Sequence, residues 1–146
     1  MNKLKSLALI IKEIDEAKLS GFLKRLEEIG LEELKLFTES KPKIKSKIKV
    51  ELAPLNKGRD ILFEKFRTIL IEAKESDREI SPLEFKIDLD LIIKVGEELE
   101  SLENTLIPEA SYAEIHFAKM KAQDFKLDNL KLAIEDYLNR KRNFGI

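Results

Sequence analysis

Residues Ser6–Ile14 read SLALIIKEI, and Leu7 through Ile11 are apolar without a break. A strand with one wet face alternates apolar and polar side chains, whereas a strand covered on both faces has no reason to do so. The stretch is therefore expected to be a central, doubly covered strand, and the other elements are read outward from it.

The next segment, EAKLSGFLKRLEEIG, places Leu19, Phe22, Leu23, Leu26 and Ile29 on one helical face and ends at Gly30, a natural C-terminal cap. LEELKLFTES follows as a strand with Leu34 and Leu36 inward, turning near Ser40, Lys41 and Pro42. In KPKIKSKIKVELAP, Ile44, Ser46, Ile48, Val50 and Leu52 share one parity and Lys43, Lys45, Lys47, Lys49 and Glu51 the other, which predicts a strand ended by Pro54. LNKGRDILFEKFRTILIEAKES then repeats Leu62, Phe66, Ile69, Leu70 and Ala73 at helical spacing, with Asn56 or Asp60 as candidate caps. In SPLEFKIDLDLIIKVG every odd position from Leu83 to Val95 is apolar, again a strand.

Strand, helix, strand, strand, helix, strand is the order of the ferredoxin-like α+β fold, βαββαβ, a four-stranded antiparallel sheet with both helices on one face. Such a sheet leaves Ala8 and Ile10 on an open face that calls for a cover. The alternative is a mostly α protein with one long helix over residues 4–29 and a small sheet, because Leu4, Ala8, Ile11, Phe22, Leu26 and Ile29 also fit a helical stripe. Residues 1–95 are read as the core and residues 96–146 as a helical C-terminal extension packed on the core or on a dimer partner. In the extension, EELESLENTL suggests a short helix and Pro108 the start of another, the stretch Glu109–Asn143 reads as two helices with a joint near Gln123 to Lys126, and SYAEIHFAK could instead be a fifth strand.

Composition narrows the function classes. Hydrophobic residues at 43% and charged residues at 38% suit a water-soluble folded chain, and 27 basic against 28 acidic side chains leave a net charge of -1. Electrostatic recognition must then come from a local patch. The absence of cysteine excludes disulfides, thiolate metal sites and cysteine nucleophiles, and suits a reducing cytoplasm. The first apolar run is too short for a signal peptide or a membrane span, so no membrane association is expected. Lys, Glu, Ile and Leu dominate and Gln occurs once, a bias of proteins built for high temperature.

Four features bear on chemistry. Lys43, Lys45, Lys47 and Lys49, about 6.6 Å apart along a strand, could track a nucleic-acid backbone, helped by Lys57 and Arg59. Gly58 in NKGRD would let a phosphate approach the start of the following helix. His116 is the only histidine and has no companion at zinc-ligand or triad spacing. Asp88 and Asp90 share a strand face, and with Glu13 or Asp15 they would be the carboxylates of a metal-dependent phosphoryl-transfer enzyme. Ordinary strand alternation explains them equally well. No catalytic residue, metal site or cofactor is therefore assigned. The reading is a cytoplasmic, non-enzymatic binding or assembly protein, homodimeric, with a nucleic-acid binder as first alternative and the phosphoryl-transfer enzyme as second.

Overall fold

The computed structural model describes residues 3–55, 58–77, 89–97 and 113–144. Its elements are β1 (Ser6–Ile10), α1 (Glu16–Glu28), β2 (Glu33–Phe37), β3 (Lys49–Ala53), α2 (Gly58–Ser76), β4 (Leu91–Val95), β5 (Glu114–Ala118), a 3-10 turn (Ala122–Asp124) and α3 (Leu127–Phe144). The five strands form one sheet in the order β3-β2-β1-β4-β5, and every neighbouring pair is parallel.

The antiparallel ferredoxin-like sheet is thereby corrected. Its premise was a hairpin between the second and third strands, and no hairpin exists. Residues 38–48 instead leave the carboxyl end of β2, run back along α1 and enter β3 beside the start of β2, where Lys49 is in register with Glu33. The Lys43 amide donates to Glu16 Oε1 (3.0 Å) near the start of α1, and the Lys47 amide donates to Glu27 Oε1 (3.1 Å) near its end. A parallel connection needs about a dozen residues, and this extended crossover supplies them without a helix. The alternation in KPKIKSKIK correctly marked extended backbone with Ile44 and Ile48 inward. It did not mark sheet pairing.

The unbroken apolar run of β1 now has its cause. One face carries Leu7 and Leu9 against α1 and α3, and the other carries Ala8 and Ile10 beside Phe37, Ala53 and Ile92. Both faces are buried: Leu7 and Ala8 are each 0% exposed. A ferredoxin-like sheet covers one face only, so the double burial itself argues for a parallel, two-sided architecture.

Helix α1 presents Leu19, Phe22, Leu23 and Leu26 to the sheet, the spacing of one helical face. Asp15 caps its start, Oδ1 accepting the Lys18 amide at 2.7 Å. At its end Gly30 adopts φ +83°, and the amides of Gly30 and Leu31 donate to Glu27 O (3.1 Å) and Leu26 O (3.0 Å), a Schellman closure that turns the chain into β2. Phe22 meets Phe125 edge to face, centroids 5.8 Å apart, which locks α1 to the segment before α3.

In the extension, Glu114–Ala118 is the fifth strand rather than a helix. Its middle residue, His116, pairs in register with Ile93. The EELESLENTL helix beyond Glu97, the start of the helix expected from Pro108, the first half of the Leu83–Val95 strand, and residues Lys57 and Asp88 lie outside the described residues.

Candidate functional site

In an open parallel sheet, ligands bind beyond the carboxyl ends of the strands where successive connections leave in opposite directions. Here the chain steps from β1 to β2 to β3 on one side and then crosses back to β4 and β5. The switch point is therefore between β1 and β4. Right-handed crossovers would put α1 on one face and α2 on the other, and the carboxyl ends of these two central strands are where such a fold provides its binding crevice.

The β1 side of that crevice is held by hydroxyls. Thr38, only 3% exposed, donates its Oγ1 to Lys12 O (3.1 Å), and the Glu39 amide donates to the same carbonyl (2.9 Å). Ser40 donates its amide to Thr38 Oγ1 (3.3 Å) and accepts the Ile14 amide on Oγ (3.0 Å). These bonds fix residues 12–14 against the end of β2 and deliver Asp15 to its capping position.

The β4 side carries Lys94. It is half-buried, in register with Ile10 on β1 and Phe117 on β5, on the face that otherwise holds Ile92 and Ile115. An ammonium group at the carboxyl end of a central strand, on a sheet face it shares with apolar side chains, suits a ligand with an anionic head and a hydrocarbon tail. Sequence reading passed over Lys94 because it was one polar residue in an alternating strand. Its signal was position, the last even residue of LIIKV, and that means something only once the strands are parallel.

Asp90 works at the other end of the sheet. Its Oδ2 accepts the amides of Lys5 (2.9 Å) and Ser6 (3.2 Å), while the Asp90 amide donates to Ser6 Oγ (3.0 Å). This reciprocal pairing staples the amino ends of β1 and β4. Asp15 stands beyond the carboxyl end of β1, so the two carboxylates are separated by the length of the strand and cannot share an ion. Among the described residues no group of three or more potential ligands could hold a metal. His116 is half-buried on β5, and Glu114 on the same strand face is bound by Arg140 (3.3 Å), which also reaches Asp136 (3.0 Å).

The lysine row does not lie on a sheet strand, as the sequence suggests, but runs along the crossover into one. Lys43, Lys45 and Lys47 project from the crossover and only Lys49 lies in β3; all are exposed. Gly58 and Arg59 form the first turn of α2.

No family model matches the chain. Its relatives are nonetheless consistent with one another. It is 31% identical over 127 residues to an isoprenyl transferase of Campylobacter jejuni strain RM1221, an alignment covering 86% of this chain and 56% of that protein. It is 41% identical over 58 residues to an isoprenyl transferase of Rickettsia typhi (40% and 25% covered). It is 40% identical over 60 residues to a ditrans,polycis-undecaprenyl-diphosphate synthase, (2E,6E)-farnesyl-diphosphate specific, of Buchnera aphidicola (41% and 24% covered). The chain spans about half the length of the Campylobacter relative. Its fold matches the crystal structure of a "probable undecaprenyl diphosphate synthase" from Campylobacter jejuni with a TM-score of 0.69, at 20% identity and covering 100% of both chains. Because these relatives are enzymes, the expectation of a non-enzymatic assembly protein is overturned, and the nucleic-acid alternative with it. Among the described residues, no helix is long and apolar enough to cross a membrane.

Proposed function

We propose that the chain takes part in isoprenyl transfer, holding a prenyl diphosphate at the crevice between β1 and β4. The observation that carries this reading is the 31% identity to an isoprenyl transferase extending over 86% of the chain. The geometry supports it. In such a transfer the allylic C–O bond breaks, diphosphate leaves with the electron pair, the acceptor alkene forms the new C–C bond and a proton is lost. Catalysis then needs charge placed where diphosphate accumulates it, a dry surface for the chain and an acceptor for the proton, which the departing diphosphate can itself be, rather than a protein nucleophile. Lys94 offers the charge, and the half-buried Ile115 and Phe117 of β5 offer apolar surface on the same sheet face.

The test is incorporation of labelled isopentenyl diphosphate into solvent-extractable lipid with farnesyl diphosphate as primer. Lys94→Gln is expected to lower kcat/KM by about 10²–10³-fold, and Lys94→Arg to retain most of it. A chain that neither incorporates label nor binds farnesyl diphosphate ends the reading. We also propose a homodimer through α2, where Leu70 (55% exposed) and Ile71 (47% exposed) are adjacent, and a cytoplasmic setting, to which the cysteine-free composition is suited.

A further inference from the structure

Lys41, Lys43, Lys45, Lys47 and Lys49 alternate along the crossover into β3, and all five are exposed. Their positions are fixed from beneath. Ile44 and Ile48 pack on the core, and Glu16 and Glu27 of α1 hold the backbone. Those two carboxylates border the row yet are turned to its amides, and Glu27 also accepts the Ser46 hydroxyl at 2.8 Å. Among the described residues none of the five ammonium groups forms an ion pair. A protein of net charge -1 thus carries five exposed lysines on one short extended segment. Leu52, 40% exposed on the same edge strand, adds an apolar contact.

We propose that this edge docks on the surface of an anionic lipid bilayer. The choice of lipid rests on the isoprenyl-transfer reading, since an extended prenyl chain partitions into membrane. The geometry favours the same occupant. Ammonium groups that alternate along an extended segment do not converge on a small anion as a phosphate pocket does. Lysines act as point charges that follow charge density rather than shape, and a flat anionic leaflet presents charge of that kind. The contact is peripheral and reversible.

Sedimentation with vesicles of phosphatidylcholine alone, or with phosphatidylglycerol added, tests the docking without substrate. The full chain is expected to be retained only by the phosphatidylglycerol vesicles, and less as salt screens the row. Each lysine near an anionic leaflet changes partitioning roughly five-fold, so Lys43→Gln, Lys45→Gln and Lys47→Gln together are expected to weaken retention roughly a hundred-fold. Lys119→Gln, Lys121→Gln and Lys126→Gln remove equal charge from exposed positions around the 3-10 turn and are expected to preserve most of it. Docking by this edge is refuted by equal loss in both variants, by wild-type retention in the row variant, or by absent or lipid-independent binding of the wild type. Unchanged circular dichroism in both variants excludes misfolding. Retention without label incorporation refutes the transfer reading alone, and incorporation without retention refutes the docking alone.

Discussion

Gly30 and Tyr137 show how single residues carry the fold's local demands. At φ +83° an L side chain is strained, and beyond the adjoining residues no heavy atom lies within 4 Å of the Cβ an alanine would add, so Gly30→Ala meets backbone strain alone. A loss of about 1 kcal/mol is expected, read as a lower urea midpoint with unchanged slope. Tyr137 lies on α3, 4% exposed; burial pushes its hydroxyl up to about 12, and the charges of Asp90 and Glu114 push in the same direction. In the unfolded chain it ionises near pH 10. The folded value being the higher, its contribution to stability is intact below about pH 10 and is lost as pH rises from there through about 12. Tyr137→Phe is expected to flatten that alkaline limb in thermal melts. An ultraviolet titration separates it from Tyr112, the only other tyrosine, and a Tyr137 that ionises near 10 in the folded protein would contradict the burial argument.

The crossover from β2 to β3 is the element on which sequence reading and structure part. Its alternation, its inward isoleucines and its outward lysines were all legible, because an extended backbone imposes period two whatever its neighbour. The neighbour was not legible. Extended chain beside a helix and extended chain beside a strand give the same pattern, and here Glu16 and Glu27 provide acceptors that a strand would otherwise have supplied. Glu27 should therefore report on the element's integrity. The Ser46 hydroxyl and the Lys47 amide hold its carboxyl below the ordinary range. A depressed carboxylate stabilises above its unfolded value and loses that contribution as pH falls through the folded one. Glu27→Gln is expected to flatten the acid limb of stability and to speed hydrogen exchange at the Lys47 amide. Unchanged exchange there would mean the crossover is held by Ile44 and Ile48 alone.

For the molecule as a whole, strand direction decided what could be foreseen. The apolar run of β1 signals a strand covered on both faces, whereas the order of elements suits a sheet with helices on one face, and only strand direction resolves the conflict. Once the strands are parallel, the carboxyl ends gather Lys94 and the Thr38–Ser40 hydroxyls at one crevice, while Asp90, which alternation had made a surface residue, becomes a staple at the opposite end. The proposed dimer belongs to this scale. Leu70→Asp with Ile71→Asp is expected to shift sedimentation equilibrium to monomer, and a wild type that is monomeric at every concentration ends that proposal. The staple has a further consequence, in time rather than in space. The Asp90 bonds to Ser6 and Lys5 join residues 84 and 85 positions apart in the chain, so the two halves of the sheet meet only after a long loop has closed. Closure of that size is entropically costly, and contacts so distant in sequence slow folding. The β1–β4 seam, where the proposed crevice lies, is thus expected to be the last part of the sheet to form, and each half exposes an unpaired strand edge until it does.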